Sequence, residues 1–294
     1  MSIPGIGAEY SANLSADGNS MTGTLKGFSV PVTWTLKRVS ADQAWTIPKP
    51  PAPPKPLAAA DPVFEVAAIK LSRPDTGRGG RVQGGNVSLL RLTLADLLTF
   101  VYDVHAHQII GAPAWTTTEK YDVTAKAEGD GTPTQEQLKV MLRKLLADRF
   151  QLALHKEQRE LPVYTLNVAK GGIKISKNDP KNETTGVIPR GPGSVLLNNV
   201  TMDDFCRMLQ TLALDRPVVN QTGVSGKYDF SLVWTPEQLL NAPPNPNALA
   251  PGDRGDALPD LYTAIQQQPG LKIDATKMGI EVLVIDKVEK PSEN

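Results

Sequence analysis

The feature that most narrows what this chain can fold into is internal repetition: short landmarks return in the same order and at nearly the same spacing. Thr93-Leu94-Ala95-Asp96-Leu97-Leu98 is matched by Thr201-Met202-Asp203-Asp204-Phe205-Cys206. Each reads as a helix start, with a Thr cap, an acidic residue three positions on and apolar residues at helical spacing. Lys120-Tyr121-Asp122-Val123 then returns as Lys227-Tyr228-Asp229-Phe230, 27 positions after Thr93 and 26 after Thr201. Agreement of several landmarks in order argues for one module used twice, against a chance likeness of Tyr-Asp pairs.

A second helix follows in each half. Leu138, Met141, Leu142, Leu145 and Leu146 mark one apolar face, opened by Thr132 as cap, Pro133 at the first helical position and Gln135 at the third. Its counterpart is a shorter helix over Pro259 to Ile265, ended by Pro269-Gly270. After each helix a hairpin is expected: Leu152 to Leu154 with Val163 to Val168, and Leu271 to Ile273 with Val282 to Ile285. Val63 to Ile69 leads the first half and Ser194 to Leu197 the second. The predicted fold class is α+β, two tandem pseudo-symmetric halves, each β-α-β-β-α-β-β.

The 294 residues are long for one domain, and the boundaries read as follows. Residues 1–46 alternate as a partial β-rich segment, with Asp17-Gly18-Asn19 as a turn and Val32 to Leu36 as a third strand. Residues 47–62 form a Pro-rich linker, semi-rigid because proline fixes φ and removes donors. The first half spans 63–172, a polar loop 173–193 and the second half 194–294, with another polar loop from Asn241 to Ala257. Lys plus Arg (31) balances Asp plus Glu (31), so no bulk charge draws the chain to nucleic acid. No apolar run reaches the roughly 18 residues of a membrane span. The chain as written opens without an export signal.

Several runs carry a family resemblance: Phe64 to Lys70, Gln108 to Trp115, Leu145 to Phe150, Glu160 to Tyr164, and Val284 to Pro291. Over residues of about 63 to 294 the chain resembles the soil-associated bacterial family of uncharacterised proteins. The resemblance implies a soil bacterium and a periplasmic or secreted domain, sometimes attached to membrane-bound metallopeptidases of the β-lactam-sensor type; it implies no catalytic residue. The start as written would instead leave the protein in the cytoplasm. Residues 1–46 resemble the tail of a β-rich domain that accompanies α/β-hydrolases, here cut short.

Chemistry is sparse. Gly223-Val224-Ser225-Gly226 is one residue short of a nucleophile elbow and reads as a glycine turn. Cys206, the single cysteine, falls on an apolar helix face and reads as a buried structural thiol. On an extended segment Asp103, His105 and His107 would project to one side and could hold calcium or zinc, with His155 the remaining histidine. The competing reading places both histidines after a helix C-terminus, where the dipole favours imidazolium. Glu128 to Gly131 and Asn178 to Glu183 have oxygen donors without EF-hand spacing. Gly77 to Asn86 carries two arginines that could hold an anion, but it lacks the Gly-Lys-Ser/Thr ending and reads as a hairpin or loop. The leading expectation is a recognition domain for a peptide, glycan or partner protein. The alternative is a metal-assisted hydrolase of small esters or lactones.

Overall fold

The computed structural model describes residues 2–3, 8–26, 32–39, 55–58, 60–179, 185–236 and 258–292. The prolines at 48–54 and the loop at 241–257 lie outside the described residues. The chain divides into two units. The first comprises Pro51–Tyr164, Leu209–Val218 and Ala275–Asn294; the second comprises Met1–Pro50, Thr165–Met208 and Val219–Asp274.

Within the second unit, β1 (Ser2–Ile3), β2 (Ala8–Leu14), β3 (Ser20–Lys26) and β4 (Val32–Lys37) form an antiparallel meander in chain order. The turn at Asp17 is closed by its own side chain, which accepts from the Ser15 hydroxyl at 2.6 Å and the Asn19 amide at 3.1 Å. Leu14 pairs with Met21, and Met21 with Leu36, so one face carries an apolar row. That row is exposed, as is Trp34.

Residues 55–57, read as the end of the spacer, are instead fixed to the first unit. Leu57 donates to Thr132 O at 3.0 Å and Thr132 donates to Lys55 O at 2.8 Å. Leu57 packs with Ala127, Met141 and Phe64. Gly131 makes this approach possible: its φ is +133°, and a Cβ there would lie 2.7 Å from Pro56 O and 2.9 Å from Leu57 N.

The first unit carries an antiparallel sheet of β5 (Phe64–Leu71), β6 (Gly79–Gln83), β7 (Asn86–Thr93) and β9 (Lys120–Ala127), in the order β5-β9-β7-β6. The glycine-rich stretch is thus the β6–β7 hairpin, turning at Gly84-Gly85. Between Leu89 and Leu92 the ladder bulges, with Arg91 at φ 55°. Thr93 and Asp96 form the reciprocal capping box of α1 (Leu94–Tyr102). A 3-10 turn (Ala106–Gln108), β8 (Ile109–Ile110) and α2 (Trp115–Thr118) lead to β9. Then α3 (Gln135–Arg149) buries all five predicted leucine and methionine positions. Its cap is Thr134, not Thr132: Thr134 and Gln137 satisfy each other, while both Thr132 backbone groups pair with residues 55–57 in an isolated bridge.

Both expected hairpins are corrected. Residues Ala153–Val168 form one strand, β10, and Leu271–Lys287 form another, now β16 after the elements that follow. Neither stretch carries a tight-turn pair; the middle of β10 is a run of charged and amide side chains that tolerate exposure, with Lys156 on Glu281 at 2.7 Å. The sheet containing them has the order β14-β10-β16-β8.

The second unit is also mixed α+β. It contains β11 (Ser176–Lys177), β12 (Gly186–Pro189) and β13 (Ser194–Val200). The helix α4 (Met202–Leu212) follows, then β14 (Val218–Asn220), β15 (Tyr228–Val233) and α5 (Leu261–Gln267). The sheet order is β11-β15-β13-β12, so two short edge strands occupy the segment read as a polar loop. Between Leu197 and Val200 the ladder bulges again, with Asn199 at φ 53°.

The first unit's core gathers Leu94, Leu97, Leu98 and Val101 of α1 with Leu142 and Leu146 of α3, its C-cap Phe150, and Tyr121 and Ile285. In the second unit Val195, Leu197, Phe205, Cys206, Leu232 and Ile265 are buried.

Replacing Gly131 with alanine is expected to lower unfolding free energy by about 1–3 kcal/mol, because both the positive φ and the Pro56–Leu57 backbone resist a Cβ. Urea denaturation of the two proteins measures it, and an unchanged midpoint would contradict this role.

Candidate functional site

Asp103, His105 and His107 lie where α1 ends, and the backbone there is not a continuous extended segment, although His105 itself is extended. Asp103 is the C-cap of α1 in the left-handed region, and residues 106–108 coil into a 3-10 turn. Alternation of side chains therefore does not apply. Both Asp103 carboxylate oxygens accept from Lys139 Nζ, at 2.7 and 2.9 Å. Lys139 is buried, so this pairing satisfies a cation that burial would otherwise penalise.

His105 is equally committed. Its Nδ1 accepts the His107 amide at 3.1 Å, and its own amide donates to Gln108 Oε1 at 2.8 Å. An accepting Nδ1 places the proton on Nε2, so the neutral ring offers no spare lone pair to an ion. Burial, then the neighbouring His107, lowers the His105 pKa, against an opposing pull from Asp215. The two rings meet edge to face, 5.0 Å apart. His155 stands elsewhere in the unit, with Nδ1 at 2.9 and 3.0 Å from the two oxygens of Asp286. Among the described residues no group of three or more His, Cys, Asp or Glu is placed to hold a metal ion.

The remaining sequence candidates resolve into structural roles. Ser225 lies between Gly223 (φ 65°) and Gly226 (φ 106°), and its carbonyl accepts from the Tyr228 hydroxyl at 3.2 Å. That is a glycine turn beneath a buried tyrosine. Cys206 is buried in α4, and burial first, then Asp203, pushes its thiol up to about 12. Asn178 donates to both oxygens of Asp229 at 3.0 Å, and residues 180–184 of the same run lie outside the described residues.

What the structure does assemble, within the first unit, is a cavity of about 560 Å³ lined by Arg78, Arg91, Thr93, Ala95, Asp96, Thr117 and Lys120. Five segments meet there. Arg78 comes from the loop before β6, Arg91 from the bulge in β7, Thr93 and Asp96 from the start of α1, and Thr117 with Lys120 from α2 and the start of β9. Three cations face one carboxylate. Asp96 is already engaged, accepting from Arg78 at 2.9 Å and from the Thr93 amide at 2.9 Å. Arg91 donates from Nη1 to Thr76 O at 2.9 Å, while its amide is held by Asp122 Oδ1 at 2.8 Å. Sequence reading singled out the Arg78 stretch but not the rest, because residues 78 to 120 form no local pattern.

The folded protein is expected to resist alkylation of Cys206 by iodoacetamide at pH 8, and to react fully once unfolded in urea. Mass spectrometry reads both states; rapid native labelling would show a thiol more exposed and more acidic than this environment allows.

Compared with known protein families, residues 95–288, about two thirds of the chain, match the family described as protein of unknown function (DUF3738). No curated protein and no solved structure matches the chain.

Proposed function

This chain belongs to that family, and on that footing we propose that it is a recognition module of the bacterial envelope or a secreted one, binding a peptide, glycan or partner protein. The observation that carries this reading is the cavity of the first unit, whose lining groups are suited to a ligand held by charge and hydrogen bonding: arginine, lysine and threonine from several segments. A soil bacterium as source, and residues 1–46 as a β-rich segment of the kind that accompanies α/β-hydrolases, belong to the same reading.

The same proposal takes the two α+β segments as copies of one ancestral module. Several features support it. The strand orders β5-β9-β7-β6 and β11-β15-β13-β12 correspond place by place. Each helix-leading strand bulges two residues before a threonine cap, at a residue of positive φ, Arg91 or Asn199. Each bulge amide is held by the aspartate of the Tyr-Asp pair, Asp122 at 2.8 Å and Asp229 at 2.6 Å. Each threonine exchanges hydrogen bonds with an aspartate three residues on.

The alternative, a hydrolase of small esters or acyl lactones using calcium or zinc on Asp103, His105 and His107, requires Asp103 to leave Lys139 and His105 to give up the His107 amide.

One comparison separates the two. Purified protein is applied to peptide and glycan arrays, and in parallel to activated esters and acyl lactones with calcium, zinc or chelator. Saturable binding of at least one array component, with turnover no higher than for a His105→Ala/His107→Ala double variant, is expected. Metal-dependent turnover lost in that variant while its fold persists would overturn the recognition reading.

A further inference from the structure

We propose that the cavity between the β7 bulge and α1 is an oxyanion site, taking the phosphate or carboxylate group of a small ligand or of a larger ligand's acidic end. The inference deepens the recognition reading and rests on it for its biological setting, but the site itself is argued from geometry alone.

Charge is the first argument. Arg78, Arg91 and Lys120 converge on one space of about 560 Å³ against a single carboxylate, Asp96. Asp96 has one oxygen on Arg78 and the other on the Thr93 amide, so it orients a guanidinium while keeping its own charge occupied. The balance left at the cavity is positive. Guanidinium groups suit this work because their planar fork of donors matches the oxygen pairs of carboxylate and phosphate.

The second argument is the choice of residue at the bulge. A left-handed backbone is unfavourable for a residue with a long side chain, and asparagine tolerates it best after glycine. The second unit's bulge follows that preference with Asn199, whose side chain donates to Thr185 Oγ1 at 2.6 Å. At the same geometry the first unit carries Arg91, a poor choice for the backbone alone. The Asp122 carboxylate holds the bulge in place, and the arginine side chain is thereby delivered to the cavity with one donor on Thr76 O and further N–H groups to spare. The site does not draw on the helix-end amide of Asp96, which Thr93 Oγ1 already accepts at 3.0 Å.

The test uses the full chain in low-salt buffer with inorganic phosphate and, separately, acetate, each matched by chloride of equal ionic strength. Amide chemical shifts are followed by NMR. Saturable shifts confined to the cavity residues are expected, with the stronger response naming the preferred oxyanion. Arg91→Asn keeps the left-handed bulge, so its thermal midpoint should hold or rise while affinity falls at least tenfold; Lys120→Ala should also weaken binding. Arg81→Ala, on the same hairpin but outside the cavity, should leave affinity unchanged. Shifts spread evenly over surface lysines and arginines, no saturation beyond the chloride control, or equal affinity in Arg91→Asn would each overturn the site. Array binding that survives Arg91→Asn would remove the site while leaving the recognition reading standing. Array binding absent alongside intact phosphate binding would do the reverse.

Discussion

One interaction between the two central strands organises each α+β segment: an aspartate carboxylate accepting the backbone amide of a bulged residue on the neighbouring strand. Asp122 does this for Arg91 and Asp229 for Asn199. The bulge spoils the ladder locally and would leave an amide without its strand partner; the carboxylate restores that bond with a charge-assisted one. The positive φ turns the chain so that the next threonine can stop being a strand residue and cap a helix. Everything downstream, including the depth at which Leu94, Leu97 and Leu98 enter the core and the walls of the cation-lined cavity, follows from that turn.

The tyrosine preceding each aspartate has the complementary role. Tyr121 and Tyr228 are both buried, on alternate positions from the aspartates, so one dipeptide serves the core with one residue and the bulge with the next. Tyr121 packs edge to face on Phe150 at 5.3 Å and donates its hydroxyl to Glu119 at 2.8 Å. Burial and that hydrogen bond both push its phenol pKa upward. The hydrogen-bonded hydroxyl removes the penalty that a large buried ring with a polar tip would otherwise carry.

Local chemistry was readable from residues alone, and long-range pairing was not. Thr93 with Asp96 and Thr201 with Asp204 announce helix starts because capping acts over three residues. The apolar face of α3 is equally plain, yet its start lies two residues beyond the expected one, since Thr132 and Thr134 are both credible caps until the bridge from residues 55–57 claims the first. Edge strands β11 and β12 were invisible in a polar stretch, because pairing across a sheet imposes no pattern on four or fewer residues. The continuous β10 and β16 defeated the hairpin reading for a related reason: distance in sequence between two apolar patches says nothing about whether the chain reverses between them. The extended course through Asp103, His105 and His107 that alternation requires is interrupted at the left-handed Asp103, an angle no local pattern announces. The cavity drew on separated positions that only the fold brings together.

The division of the chain carries a consequence for how it matures. Ile285 and Val288 are built into the same hydrophobic cluster as Ile69 and Val87, far earlier in the chain. During ribosomal synthesis the earlier residues emerge first and wait, with apolar surface uncovered, until the later strand has left the exit tunnel. That delay is the period in which a nascent chain of this kind most needs chaperone protection.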